Sequence, residues 1–252
     1  MFFTKKGFND RYQTTSINKM TSRVFNADVV SHGSYAYTTA KLSAKLSNAR
    51  ISKSILAMES FVGKKVLDIG CGDGAYSYEL AQSGAALVVA IDPVENAIAY
   101  AMQKYRDSAN LRFECVDLYE IDVTQQPYDI VVLRGVLHHL HDLEKGVEIV
   151  CRLAKKILIM EPNGYNLILK IIEKTSKYHI EHQEQSFAAS KLRGLFKKNN
   201  GKIIFEEFIG LVPFFCPDWL TKIAKYLEPL VESLPFIRNV ACGQYIFAVE
   251  IS

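Results

Sequence analysis

The chain has 252 residues, of which 49% are hydrophobic and 23% are charged, and its formal net charge is +3. A chain of this size and composition is expected to fold around one large core with a smaller elaboration. The small net charge argues against nucleic acid as a partner, because such binding usually requires a concentrated basic stripe.

Residues 1–61 differ in character from the rest of the chain. They are rich in Ser, Thr, Asn, Lys and Tyr at first and end in an apolar helical run at 51–61. We predict an N-terminal helical lid over 1–61, followed by a single domain at 62–252. The start lacks the apolar segment of a signal peptide, and no apolar run approaches the roughly 18 residues of a membrane span, so a cytoplasmic location is expected.

From residue 64 onward, apolar strands alternate with helical stretches, which predicts the α/β class with a doubly wound, mostly parallel sheet. Each strand is a compact run rich in Val, Ile, Leu or Phe, as burial on both faces requires. The predicted strands are 65–69, 86–91, 111–115, 129–133 and 156–160, with two more at 202–208 and 244–250. The predicted helices are 75–83, 95–105 and 142–153, and the basic cluster at 191–202 is interpreted as the solvated face of another helix.

Two stretches interrupt this alternation, at about 164–186 and about 213–240. Both contain long amphipathic segments, and the second contains several prolines. We predict helical cap insertions that lie over the carboxyl ends of the strands, where open α/β sheets bind their ligands. Aromatic residues near these caps, among them Phe187, Phe208 and Trp219, are candidates for lining an apolar pocket, with packing into the core as the alternative.

The first predicted strand runs into three alternate glycines, which let bare backbone approach a nucleoside-containing cofactor. A dinucleotide would place its pyrophosphate at this turn, where Asp68 and Asp73 would repel it. A ligand that carries an ammonium and a sulfonium group would instead be attracted. Cys71 is interpreted as a small side chain that the turn tolerates. The predicted cofactor-binding residues here are Asp68, Gly70, Cys71, Gly72 and Gly74.

Acidic residues also end the second and third predicted strands. Asp92 follows Gly72 at about the spacing expected for a side chain that accepts both ribose hydroxyls, and a helix N-cap before Pro93 is a compatible second role. Asp117 is predicted to face the adenine amino group, with the backbone N–H of Leu118 beside it, and a surface-turn aspartate is the alternative. Further cofactor-binding predictions are Pro93 and Arg134, the latter at the end of the fourth strand.

Three histidines follow the fourth predicted strand, within residues 133–142. Histidine is the usual proton acceptor at neutral pH, and its position at the carboxyl end of a strand places it on the cofactor side of the sheet. We predict His139 as the catalytic base or as a residue that orients the loop, with His138 as the second catalytic candidate. His141 is interpreted as a helix-start residue.

These residues together resemble the class I S-adenosylmethionine-dependent methyltransferases, in the broad small-molecule group. The resemblance rests on the glycine turn at 68–74, the two acidic strand ends and the His138-His139-Leu140 segment, and it covers about 62–162. It implies S-adenosylmethionine as the cofactor, in-line methyl transfer, and a seven-stranded sheet whose last strand runs antiparallel. The final apolar stretch, 245–251, is expected to supply that strand.

The chemical class of the methyl acceptor is narrowed mainly by excluding nucleic-acid bases. Residues 133–136 lack the segment that accompanies methylation of exocyclic base amines, and Cys216-Pro217 has the opposite order to a cytosine C5 nucleophile. We therefore predict a small-molecule acceptor, O-methylation and no nucleic-acid partner. We also predict that no metal ion is required, and the five widely spaced cysteines lack the spacing of a zinc site. Two alternatives stay open, namely a nicotinamide-dependent oxidoreductase and a non-catalytic cofactor-binding interaction protein. The sequence does not predict the oligomeric state.

Overall fold

The computed structural model describes residues 40–124, 128–176, 185–214 and 216–252. Within these residues, one seven-stranded sheet has the order β3-β2-β1-β4-β5-β7-β6. Its strands are β1 (Lys65–Ile69), β2 (Leu87–Ile91), β3 (Leu111–Glu114), β4 (Tyr128–Arg134), β5 (Ala154–Pro162), β6 (Gly201–Ile209) and β7 (Gln244–Ile251). The pairs among β1 to β5 are parallel, and β7 pairs antiparallel with both β5 and β6. The predicted α/β class, the mostly parallel sheet and the antiparallel last strand are confirmed.

Eight α-helices accompany this sheet in the described part of the chain. They are α1 (Leu42–Met58), α2 (Ala75–Gln82), α3 (Glu95–Lys104), α4 (Leu143–Leu153), α5 (Leu167–Thr175), α6 (Ala189–Lys198), α7 (Asp218–Ser233) and α8 (Ile237–Ala241). The predicted strand and helix positions are confirmed with shifts at their ends. The largest shift among the strands is at β5, which extends beyond the predicted 156–160 at both ends.

The first helix begins well before the predicted apolar run at 51–61. Its buried side includes Ser43 and Ser47, whose hydroxyls donate to the backbone carbonyls of Phe214 and Val212. Small hydroxyl side chains that bond to backbone oxygens allow close packing without an apolar stripe. Hydrophobic periodicity therefore revealed only the second half of α1.

The central strands β1, β2, β4 and β5 bury both faces, as their continuous apolar runs predicted, whereas the edge strands β3 and β6 each have exposed side chains. On one face, alternate residues such as Leu67, Val131 and Ile157 pack with side chains of α4 and α6. On the other face, Val66, Val132 and other strand residues pack with side chains of α1, α2 and α3. The central strands are thus held between two helical layers, which fixes their carboxyl ends relative to one another.

The two predicted cap insertions contain helices in their described parts, with α5 in the first and α7 and α8 in the second. Residues 1–39, 177–184 and 215 of the predicted lid and caps lie outside the described residues. Phe187 and Phe208 pack into the core, which was the alternative to lining an apolar pocket. Trp219, in contrast, is 65% exposed. In the described ranges no helix combines the length and the apolar character needed to cross a membrane.

Candidate active site

The candidate site lies where the carboxyl ends of five parallel strands meet along one edge of the sheet. β1 continues to β2 and β3 on one side and has β4 and β5 on the other, so the strand order reverses between β1 and β4. Such a reversal opens a crevice at the strand ends, which is the usual ligand site of an open α/β sheet. The predicted residues after β1, β2, β3 and β4 all come to this edge.

The glycine turn after β1 has the backbone that its sequence predicts. Gly70, Gly72 and Gly74 have φ values of 73°, 53° and 75°. The turn is tied to β2 because the N–H groups of Gly70 and Cys71 both donate to the carbonyl of Ile91. Burial raises the pKa of the Cys71 thiol well above its usual value, which disfavours the thiolate that a nucleophile requires.

We expect Gly70→Ala to lower the free energy of unfolding by roughly 1–3 kcal/mol. The new Cβ would lie 2.5 Å from Val136 Cγ2, at a positive φ that alanine rarely adopts. The matched control is Gly194→Ala in α6, where nothing lies within 4 Å of the new Cβ. This control should stabilise the protein by up to about 1 kcal/mol in urea titrations. Equal effects of the two substitutions would contradict the proposed close approach.

Asp92 closes the glycine turn from the end of β2. Its carboxylate accepts the N–H of Gly72 and the N–H of Val94, both at 2.9 Å, and the residue is only 7% exposed. Burial raises the pKa of this carboxyl to about 6, although both backbone hydrogen bonds lower it. The helix N-cap is Val94, so the N-cap role considered for Asp92 is wrong, and Pro93 lies in the connecting turn rather than at the first helical position.

Asp68 is the second buried carboxylate of the site. It is 3% exposed and accepts the hydroxyl of Ser77 at 2.6 Å. Burial raises the pKa of Asp68 to about 6, against the lowering effects of the Ser77 hydrogen bond and the positive charge of Arg134, while the charge of Asp92 raises it further. Burial thus disfavours the ionised forms of both Asp68 and Asp92, and a cationic ligand would stabilise those forms.

We expect Asp68→Asn to stabilise the ligand-free protein at pH 8 by roughly 1–3 kcal/mol. The carboxyl has a pKa of about 6 in the folded protein against 3.8 as its usual value, so the folded state binds more protons between these values. Wild-type stability consequently falls as the pH rises through that window. The gain should disappear below about pH 4, where the carboxyl is protonated in both states. Urea titrations at both pH values measure it, and a gain that does not change with pH would contradict this assignment.

Arg134 ends β4 and extends toward α1. Its guanidinium donates to Ser52 Oγ at 2.9 Å and to Asn48 Oδ1 at 3.0 Å, and its carbon lies 3.3 Å from the ring centroid of Tyr76. Ser52, Tyr76 and Arg134 border a small pocket together with Asp68. Ser52 and Asn48 were not predicted from the sequence, because only the packing of α1 against the sheet brings them to Arg134.

The third acidic strand end has a mainly local arrangement. Asp117 accepts the N–H of Tyr119 at 3.0 Å and caps a 3₁₀ turn in which Leu118 is buried. The Tyr119 hydroxyl donates to the carbonyl of Asp142 at 2.8 Å and so connects this turn to the start of α4. The charge of Asp117 adds to the effect of burial, which raises the pKa of Asp92.

A buried glutamate holds the histidine loop after β4. Glu161, at the end of β5 and 0% exposed, accepts the backbone N–H groups of Val136, Leu137 and His138 at 2.7–3.2 Å. Its Oε2 also lies 2.8 Å from Nδ1 of His138, and since a carboxylate only accepts, this nitrogen carries the proton. His138 is thus fixed in the loop. Sequence reasoning did not assign Glu161 a role, because its partners are about 25 residues away along the chain.

His139 is adjacent to this fixed histidine and is less buried. The ring centroids of His138 and His139 are 3.9 Å apart. Val136 of the same loop packs against Gly70, which places the histidine loop directly beside the glycine turn. In the described residues no cluster of His, Cys, Asp or Glu has the geometry to hold a metal ion.

The geometry fits a cationic, nucleoside-containing cofactor. The positive-φ glycines give the turn a backbone conformation that other residues rarely adopt, and at Gly70 and Gly74 a Cβ would clash with Val136 and Phe113. The buried carboxylates of Asp68 and Asp92 match positive charge and hydroxyl donors. A pyrophosphate at the same turn would meet these carboxylates and be repelled. The predicted cofactor-side residues are therefore brought to one edge, and the histidines border it.

Comparisons with known proteins agree with this geometry. A family model described as "Methyltransferase domain" matches residues 60–208. The human mitochondrial ubiquinone biosynthesis O-methyltransferase is 33% identical over 178 residues, which cover 68% of this chain and 41% of that protein. Wheat (Triticum aestivum) phosphoethanolamine N-methyltransferase 1 is 28% identical over 143 residues, which cover 54% of this chain and 26% of that protein. The chain thus spans less than half the length of these curated relatives.

Solved structures share the fold. The magnesium protoporphyrin IX methyltransferase of Synechocystis with bound S-adenosylhomocysteine has a TM-score of 0.60 and 18% sequence identity, covering 85% of this chain and 89% of that one. The methyltransferase match over residues 60–208 decides against the nicotinamide-dependent oxidoreductase. The chain belongs to the class I methyltransferases that use S-adenosylmethionine as their cofactor.

Proposed function

We propose that this protein transfers the methyl group of S-adenosylmethionine to a hydroxyl oxygen of a small molecule, with His139 as the base. One observation carries the proposal: a half-buried histidine lies beside the glycine turn, on a loop that a buried glutamate holds in place. The names of the ubiquinone O-methyltransferase relatives support oxygen as the acceptor atom.

Each cofactor-side residue has a proposed task that follows from its contacts. Asp92 accepts the ribose hydroxyls and keeps the turn closed through its bonds to Gly72 and Val94. Asp68 faces the positive charge of the cofactor, which favours the ionised carboxylate against the burial that raises its pKa, and the charge of Arg134 acts in the same direction as the cofactor. Asp117 and Leu118 border the adenine side. Gly70, Gly74 and Cys71 supply backbone and a small side chain to the same surface.

The bound cofactor supplies a methyl group that the sulfonium already activates. The protein then mainly has to hold the acceptor oxygen in line with that methyl group, which is commonly worth about 7–11 kcal/mol. His139 removes the proton of the hydroxyl as the oxygen forms its new bond, and general-base catalysis of this kind contributes about 10²–10⁴ in rate. His138 and Glu161 orient the loop and keep His139 at the crevice. No metal ligand is needed for these steps.

We expect His139→Ala to lower kcat about 10²–10⁴-fold with a hydroxyl acceptor, while cofactor affinity stays within a few-fold. The reason is that the substitution removes a proton acceptor without touching the glycine turn or the buried carboxylates. A screen of small hydroxyl and amine acceptors with labelled S-adenosylmethionine identifies a substrate, and single-turnover rates then measure the effect.

The matched control is His141→Ala, which removes a histidine of the same segment that contacts Tyr119 instead. Its kcat should stay within about threefold of the wild type. Undiminished kcat in the His139 variant would contradict the assigned base. Methyl transfer to amines alone would contradict oxygen as the acceptor, and turnover of no acceptor despite tight cofactor binding would favour the non-catalytic interaction protein.

A further inference from the structure

One helix of the second cap region has its polar face toward the protein and its apolar face outward. In most surface helices the apolar stripe is buried and the charged side is solvated. In α7, the two buried residues are Thr221 and Glu228. The apolar positions lie on the opposite side, where Ile223 is 50%, Leu230 60% and Tyr226 86% exposed.

Specific hydrogen bonds fix this orientation. Glu228 is 3% exposed, accepts the N–H of Leu211 at 3.1 Å and pairs with Lys225. Glu232 accepts the N–H of Gly210 at 2.8 Å and the guanidinium of Arg50 at 2.9 Å. A rotation of α7 that buried the apolar side would leave these groups without partners at a cost of several hydrogen bonds. The apolar face of α7 therefore stays outward.

Two neighbouring helices extend the same kind of surface. The short helix α8 contacts both α7 and α5. It carries the exposed Val240, and the described residues leave Leu167, Ile168 and Ile171 of α5 more than 60% exposed. We call these exposed residues of α5, α7 and α8 the apolar face. So many exposed apolar side chains on three neighbouring helices are uncommon on proteins that work alone in water, and large exposed apolar patches mark interaction sites.

The charges around the apolar face select its partner. Two of the three acidic residues of α7, Glu228 and Glu232, are bonded inward, and the third, Asp218, is exposed in the first turn. Lys222 and, on α5, Lys174 are exposed beside the face. Trp219 and Tyr226 add aromatic rings with polar tips, which prefer the headgroup level of a bilayer. An apolar face with aromatic residues and lysines at its border matches an anionic lipid surface.

We propose that α5, α7 and α8 dock the protein on the surface of a membrane that contains anionic lipids. The apolar side chains enter the headgroup and acyl boundary, and the lysines contact lipid phosphates. The helices lie along the surface and do not cross it. This inference is independent of the proposed acceptor, because lipid docking requires neither the cofactor nor turnover.

Co-sedimentation of the full chain with vesicles tests the proposal. The probes are vesicles of phosphatidylcholine alone and of phosphatidylcholine with phosphatidylglycerol. We expect the wild type to pellet with the anionic vesicles and Ile223→Glu to bind them at least about tenfold more weakly. Met102→Glu is the matched control, since Met102 is also 50% exposed but lies on α3, and its binding should not change.

Two more variants keep the test decisive. Tyr226→Ala removes a side chain that is 86% exposed, so it should weaken binding without affecting the fold. Lys222→Glu should weaken binding to the anionic vesicles about fivefold or more. Equal pelleting with both vesicle types, or none with either, would overturn the proposal. A lipid-free dimer that Ile223→Glu dissociates would also overturn it, because the apolar face would then be an interface between copies of the chain.

Discussion

Asp92→Asn is expected to weaken the binding of S-adenosylhomocysteine by at least about 100-fold while the protein remains folded. The carboxylate of Asp92 accepts one N–H with each oxygen, from Gly72 and from Val94. An amide offers one oxygen and one NH₂ group, so one of the two backbone donors would face another donor. The substitution removes both the negative charge and the geometry that we propose for the ribose hydroxyls.

Titration calorimetry of both proteins measures this effect, with Asp107→Asn as the control. The side chain of Asp107 is 94% exposed, so its loss changes the net charge equally but leaves the site intact. The control should bind within about twofold of the wild type. If Asp92→Asn bound equally well, the acidic residue after β2 would not contact the ligand.

Glu161→Ala is expected to lower the free energy of unfolding by about 3–5 kcal/mol. The carboxylate accepts three backbone N–H groups and Nδ1 of His138, and no part of it is exposed. Its removal leaves buried donors without acceptors and empties the space between β5 and the histidine loop. The loop that carries His139 would then lose its fixed position, so kcat should fall more than cofactor affinity.

Urea unfolding measures the stability effect, and Glu144→Ala is the control. The carboxylate of Glu144 pairs with Lys198 on the surface, where both side chains are about 70% exposed. Exposed pairs of this kind contribute at most about 1 kcal/mol. Comparable losses in the two variants would show that Glu161 does not organise the loop.

Local sequence patterns predicted the parts of the fold that depend on neighbouring residues. The central strands were visible as short apolar runs because both of their faces are buried. The glycine turn could be predicted because three of its positions need a positive φ. Asp92 could be predicted because one strand-helix-strand unit sets its distance from that turn. These features depend on residues that are close in sequence.

Other features depend on contacts between distant segments, and the sequence did not reveal them. The first half of α1 is buried through serine hydroxyls, which resemble a solvated segment in composition. In the sequence, Glu161 looks like an ordinary acidic residue near the end of a strand. Only the fold brings the histidine loop against its carboxylate. In α7, the amphipathic pattern is clear from the sequence, but the direction in which its apolar face points is set by Glu228 and Glu232.

The central claim is that buried carboxylates at the glycine turn select a cationic methyl-donor cofactor over a phosphate-bearing one. Melting curves of the wild type with S-adenosylmethionine or with NADH test it most directly. At about 100 times its Kd, S-adenosylmethionine should stabilise the protein by about 2.7 kcal/mol and raise Tm by roughly 5–10 °C, and NADH should leave Tm unchanged. A rise with NADH, or no rise with S-adenosylmethionine, would contradict this account of the site.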